Sequence, residues 1–147
     1  MLVYNLIDKM RVRVRIEGRE RPLSSSLEHD LDWLCSTFGF CSKTQQKTGN
    51  SVFKEIIKRS RQEEPPTSTE LANELGLSRG AVINQLNRLM QAGLIEKDGC
   101  RYMLRGANLE RTMREVERDI ERVFSEVREM AAELDARLGF GSRTRNL

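Results

Sequence analysis

Residues 67–95 read TSTELANELGLSRGAVINQLNRLMQAGLI, and the fold is decided in this stretch. Thr67 and Glu70 stand three apart ahead of the apolar Leu71, Ala72 and Leu75. That is the spacing of a capping box, in which each of the two side chains satisfies a backbone N–H of the helix's first turn. The spacing predicts a helix that Gly76 ends in a left-handed conformation. Only Leu77 intervenes before Ser78, which caps a second helix carrying Val82, Leu86 and Leu89 at core spacing, and Gly93 stops it after Ala92.

Working outward, Leu94 to Lys97 and Cys100 to Leu104 read as two short strands around Asp98-Gly99. Asp-Gly suits a tight type I′ hairpin, where both central residues take positive φ. On the other side, Asn50 or Ser51 can cap a helix with Val52, Phe53, Ile56 and Ile57 on one face, and Pro65-Pro66 break it. Helix, helix, tight turn, helix, hairpin is the order of a winged helix-turn-helix.

A long helix follows, from about Asn108 to Leu138. Leu109, Met113, Val116, Ile120, Val123, Val127, Met130 and Leu134 step alternately by four and three, which marks a heptad seam. Gly139 and Gly141 end it. Upstream, Met10, Val12, Val14 and Ile16 alternate with Arg11, Arg13, Arg15 and Glu17, which predicts a strand closed by Gly18 and Pro22. Its partner strand would come from residues 2–7 or from a second chain. Ser24 to Ser26 reads as a linker or a helix cap. Leu27, Leu31, Leu34 and Phe38 predict a short helix, and the polar run Gly39 to Gly49 a connection.

The expected organisation is therefore an N-terminal strand segment and linker (1–26), a short helix and connection (27–49) and a winged helix-turn-helix domain (50–106). A long dimerisation helix (107–139) and a loose tail (140–147) complete it. The fold class is mainly α with a small β component.

Composition sets the bounds. The chain has 147 residues, enough for one ordinary domain plus an appendage, with 32% charged, 38% hydrophobic and 5% aromatic side chains. These values exclude a collagen-like chain, a disulfide-built miniprotein and a membrane protein, and no run approaches the ~18–20 apolar residues of a span. The N-terminus lacks the apolar run and small-residue cleavage site of a signal peptide, so the cytoplasm is expected. Cys35, Cys41 and Cys100 are odd in number and lack zinc-type spacing, which agrees with a reducing compartment.

The net charge of +3 is too modest to argue for nucleic acid. Its distribution says more. Residues 1–25 carry a net +3, residues 107–147 a net −1, and no Asp or Glu lies between Leu75 and Ile95.

The run from Ser68 to Ile95 resembles winged-helix transcriptional regulators of the ArsR/MarR type, and with its long C-terminal helix the chain is most similar to small archaeal ArsR-like regulators. The resemblance covers residues 50–106. It implies a sequence-specific regulator of double-stranded DNA, acting as a homodimer. A helix presented after a tight turn can enter the major groove with its early residues at base edges. With Val82, Leu86 and Leu89 inward, Ser78, Arg79, Gly80, Ile83, Asn84, Asn87 and Arg88 lie on or near the outer side. Gly80 lets backbone approach, Asn84 and Asn87 can bond adenine edges, and Arg79 or Arg88 a guanine or a phosphate. By the resemblance, Lys97 and Arg101 on the wing hold backbone or minor groove.

Other readings of the same residues stand beside these. A winged helix can serve as a protein–protein module within a transcription-related assembly, and an acid-free outer helix face favours DNA over that. The Arg11, Arg13, Arg15 stripe could follow phosphates, but it reads more simply as the solvated face of a half-buried strand. As a parallel pair the heptad seam sets Thr112 against Glu117, Asp119 against Phe124 and Glu126 against Ala131, none an attractive charge pair. Antiparallel and multi-helix arrangements therefore stay open, while so long an apolar seam still calls for a partner.

Cys35 and Cys41 could form a thiol switch, though a packed structural thiol is the simpler role. Metal sites of the ArsR type use Cys or His clusters, and Thr67 to Gly76 holds neither, so no metal or cofactor is expected. His29 is the only histidine. No phosphate-binding loop, dinucleotide fingerprint or zinc-protease motif accompanies it, and a His29/Cys35 pair lacks an oxyanion site and an orienting group. An enzyme is not expected. The sequence leaves any effector unknown.

Overall fold

A computed structural model of the chain describes residues 13–23, 26–38 and 46–141. In chain order the elements are α1 (Leu27–Thr37), α2 (Gln46–Arg61), α3 (Ser68–Leu75), α4 (Arg79–Gln91), β1 (Ile95–Asp98), β2 (Arg101–Leu104) and α5 (Leu109–Leu138). Helix dominates, and the two strands form one antiparallel hairpin.

The core gathers where α2, α4 and the hairpin meet. Val52, Phe53 and Ile56 of α2, Val82, Leu86 and Leu89 of α4, and Leu94, Ile95, Tyr102 and Leu104 of the wing are all buried together. Leu71 of α3 and Cys35 of α1 join them. These are the apolar positions that recur at helical or alternate spacing, so one face of each element supplies the core.

Three expectations are corrected. Residues 13–22 are not a strand: they carry no regular secondary structure and pair with no strand among the described residues. Their backbone is instead held by helix ends. Arg13 N–H donates to the Gln91 carbonyl at 3.1 Å and Glu17 N–H to the Thr37 carbonyl at 2.8 Å, both at helix C-termini where carbonyls lack helical partners. The alternation does not define one buried face either, since Val14 packs against the core while Ile16 is 53% exposed. Met10, Arg11 and Val12 lie outside the described residues, as do residues 2–7.

The second correction concerns α2, which begins at Gln46, so Asn50 and Ser51 sit inside the helix rather than capping it. Packing of Val52, Phe53 and Ile56 carries the helix through residues of poor propensity. The rest of the expected connection, 39–45, lies outside the described residues, with Cys41 and the tail 142–147.

Third, the hairpin turns one residue later than expected. Asp98 pairs with Arg101, which leaves Gly99-Cys100 as the loop, and only Gly99 has positive φ (60°). Positive φ at the first loop position alone is the requirement of a type II′ turn, not I′. The register is set by Ile95, Tyr102 and Leu104, which must face the core.

The long helix starts and stops as its sequence predicts. Asn108 caps it by accepting from the Arg111 N–H at 2.9 Å, and Gly139 closes it with φ 78°. Its seam divides along its length. Val116 is 2% exposed, and Leu109, Met113 and Ile120 pack against the core. Beyond Ile120 the seam faces solvent: Val123, Val127, Met130 and Leu134 are 43, 55, 53 and 42% exposed. The first four expected dimerisation residues are thus spent on the chain's own domain.

Candidate nucleic-acid interface

The interface is built from the α3–α4 corner. The Thr67 hydroxyl accepts from Glu70 N–H at 3.1 Å, and the Glu70 carboxylate accepts from Thr67 N–H at 3.3 Å, completing the capping box. Gly76 takes φ 63° at the end of α3, and Leu77 alone separates it from Ser78. Ser78 accepts from the Ala81 N–H at 3.1 Å and starts α4. No room is left in this corner for a slack loop, so the direction of α4 follows from that of α3.

Arg59 fixes α3 against the end of α2. Its guanidinium bonds Glu70 at 2.8 Å and Glu74 at 3.1 Å, and its Nε–H donates to the Glu64 carbonyl at 3.0 Å. Beside it, Glu55 has its carboxyl pushed above the ordinary 4.5 by burial, and further by a hydrogen bond with Glu74 and the negative charge there.

The faces of α4 separate cleanly. Val82, Gln85, Leu86 and Leu89 are buried, while Arg79, Gly80, Asn84, Asn87 and Arg88 are exposed and Ile83 is half-buried. A Cβ at Gly80 would meet open space, so its bare backbone serves no packing need inside the fold. The outer face offers amides, guanidinium groups and one uncovered backbone position, and it carries no carboxylate.

Gln85 is a residue that spacing alone passes over. It lies 4% exposed between Val82 and Leu89, and its amide oxygen has no hydrogen-bond partner among the described residues. Its position three residues after Val82 was the available signal, since a polar residue there falls on the core side of the helix.

The wing is less uniform than its two basic residues suggest. The Lys97 ammonium is exposed and stands 5.7 Å from the Tyr102 ring centroid, a cation–π distance. Arg101 turns back instead: its Nη1 donates to the Pro65 carbonyl at 2.7 Å and lies 3.7 Å from Glu70. The neighbouring backbone does the same, with Tyr102 N–H donating to the Pro66 carbonyl at 2.9 Å and Thr67 bridging Arg101. Arg101 thus stitches the wing root to the entrance of α3. Glu96 and Asp98 flank Lys97 and are exposed, so Lys97 is a single positive point, not part of a basic strip.

Behind the wing, Arg105 ties the hairpin to α5. It is paired with Asp119, whose side chain is 9% exposed, and stands 3.8 Å from Glu115. The Asp119 hydrogen bond, against the opposing effect of burial, pushes the Arg105 pKa up. Gly106 N–H donates to Thr112 Oγ1 at 3.0 Å, and Thr112 is fully buried. A Cβ at Gly106 would lie 2.7 Å from the Thr112 nitrogen, so this close approach requires glycine.

Among the described residues no group of His, Cys, Asp and Glu is arranged to hold a metal ion, and no helix is long and apolar enough to cross a membrane. No curated protein and no solved structure matches the chain. Residues 60–97 match the model of a family described as bacterial regulatory protein, arsR family. The matched segment runs from the last turn of α2 through α3, the turn and α4 into β1. With the hairpin completing that segment into a winged helix-turn-helix, the chain carries a domain similar to that of arsR-family regulatory proteins.

Proposed function

We propose that the chain is a sequence-specific regulator that binds double-stranded DNA as a homodimer, each copy laying the outer face of α4 in a major groove. The observation that carries the reading is that face: Arg79, Asn84, Asn87 and Arg88 are exposed on it, Gly80 opens its backbone, and no acidic residue interrupts it. Asn84 and Asn87 have the donor–acceptor pattern of an adenine edge, and the arginines that of guanine or phosphate. Lys97 meets the backbone beside the groove, while Arg101 supports the wing from behind. The exposed half of the α5 seam supplies the dimer contact, because an apolar stripe of that length is not stable in water.

Selection of bound duplexes from a random pool tests the reading. A shared motif with twofold symmetry is the expected result; enrichment of no motif overturns sequence specificity. Arg79→Ala with Arg88→Ala is expected to lower duplex affinity at least tenfold and to flatten its salt dependence, with the circular dichroism unchanged. Unaltered binding by that variant would remove α4 from the interface. A second outcome, retention of a protein partner after nuclease treatment with no duplex binding, would favour the interaction-module reading.

A further inference from the structure

We propose that the cleft between the root of the wing and the first turns of α5 binds a small dianion bearing phosphate or carboxylate groups, held by Arg111 and Arg114. The cleft measures about 660 Å³. Glu96 and Arg105 line it on the hairpin side, and Arg111, Arg114, Glu115 and Arg118 on the helix side. Its size falls within the ~300–1,000 Å³ of small-ligand sites. Its charged lining is four guanidinium groups against two carboxylates.

The pairing of these arginines leaves two of them for a ligand. Arg105 is engaged with Asp119, whose side chain is 9% exposed, and stands 3.8 Å from one Glu115 oxygen. Arg118 takes the other Glu115 oxygen at 2.9 Å. A carboxylate of the chain itself thus already sits between two of the four guanidinium groups, which is the chemistry the cleft accepts. Arg114 pairs with Glu110, one turn back on the exposed surface, where an ion pair is weak and a rival anion can replace it. The Arg111 guanidinium has no ion pair among the described residues.

Arg111 is also placed against the preference of its helix. It is the third residue of α5, in the first turn, where the positive end of the helix dipole disfavours a cation. Asn108 caps this end through the Arg111 N–H, so the guanidinium adds nothing to the cap. An unpaired cation there lowers helix stability, and such departures from local preference gather at functional sites. An anion beside Arg111 answers both the side chain and the dipole. Guanidinium forks match carboxylate and phosphate oxygens two at a time, which selects those oxyanions over a halide.

The wing separates this cleft from the DNA face. Glu96 and Lys97 are neighbours on β1, and successive side chains of a strand point to opposite faces. Lys97 stands by the Tyr102 ring, while Glu96 lines the cleft. A duplex at Lys97 therefore leaves the cleft open, and an anion in the cleft joins the wing root at Arg105 to α5. Such an anion is an effector that acts on the wing from behind. That consequence rests on the DNA-binding reading above; the binding itself does not.

Isothermal titration calorimetry of the full-length chain, without DNA and in chloride buffer, tests the site with inorganic phosphate and with succinate as probes. Saturable binding of at least one probe is the expected result, and the tighter of the two separates a phosphate ligand from a dicarboxylate. Arg111→Gln with Arg114→Gln is expected to weaken that binding by about tenfold or more. Arg79→Ala with Arg88→Ala on α4 is expected to leave it unchanged. Binding of neither probe overturns the proposal, and so does equal binding by the parent and the Arg111/Arg114 variant. Loss of binding in the α4 variant puts the anion on the reading helix and overturns it too. Both substituted arginines of α5 are exposed and Arg105 keeps Asp119, so the circular dichroism of that variant is expected to match the parent. If the pair of substitutions costs helix, each single one is expected to weaken binding roughly threefold, and parental binding by both singles overturns the site.

Discussion

Glycine at two positions does different work, and substitution separates the two roles. Gly76 has φ 63° with open space where a Cβ would stand, so Gly76→Ala meets only the backbone penalty of the left-handed region, about 1 kcal/mol. Gly93 has φ 78° and a Cβ there would sit 2.9 Å from Arg105 Nη1 and 3.3 Å from Asp119 Oδ2. Gly93→Ala is therefore expected to lose more, about 2–3 kcal/mol in urea denaturation, because it strains the backbone and also pushes on the ion pair that docks α5. Equal losses would mean that the pair yields freely. At Glu55 the sign is opposite. Its carboxyl titrates above the ordinary 4.5, through burial first and Glu74 next, so the folded state binds the proton more tightly than the unfolded chain. Stability then falls as pH rises from the unfolded value to the folded one, and above that the carboxylate is a standing burden. Glu55→Gln should be more stable than the parent near neutral pH by a few tenths of a kcal/mol, an advantage that fades below about pH 4. Melting curves of the two proteins at pH 4 and pH 7 check both the sign and the fading.

Local pairings were legible in the sequence and distant ones were not, and the elements show why. The capping box needs only residues three apart, and Thr67→Ala should cost about 1 kcal/mol of stability by chemical denaturation. The heptad of α5 and its cap at Asn108 are also written within a few residues of one another. The N-terminal strand misled because alternation specifies a strand only where another strand is available. Here the backbone N–H groups of Arg13 and Glu17 reach the ends of α4 and α1, and no local pattern encodes those partners. The hairpin shifted by one residue because burial of Tyr102 and the bond from its N–H to Pro66 outweigh the preference of Asp-Gly for a I′ turn. For the same reason the bond of Arg101 at the wing root was not legible locally: its acceptor at Pro65 is 36 residues away. The consequence for the site is testable. Arg101→Ala should lower stability by about 1 kcal/mol through the lost bond to Pro65, and weaken duplex binding only as far as the wing loosens. Lys97→Ala should leave stability within about 0.5 kcal/mol and reduce the salt dependence of binding by roughly one phosphate contact.

At the scale of the molecule, one apolar seam serves two purposes, and charge placed on it should tell them apart. Val116 lies in the domain core, so Val116→Asp buries an unpaired carboxylate and is expected to unfold the winged domain, with a loss of at least about 4 kcal/mol. Val127 and Met130 are more than half exposed in a single copy, so Val127→Asp with Met130→Asp has no such effect on the domain. It does place four carboxylates in the seam of a pair. The double variant is expected to sediment as a monomer and to keep the near-ultraviolet spectrum of its core, with the distal turns of α5 frayed because they have lost their partner. Its affinity for a single half-site should match that of the parent, since α4 is untouched. Affinity for a duplex with two half-sites should fall by two orders of magnitude or so, because the second contact is no longer held at high effective concentration by the first. Loss of half-site binding along with the dimer would mean instead that the coil shapes the reading helix itself, and that α4 is not an independent reading head.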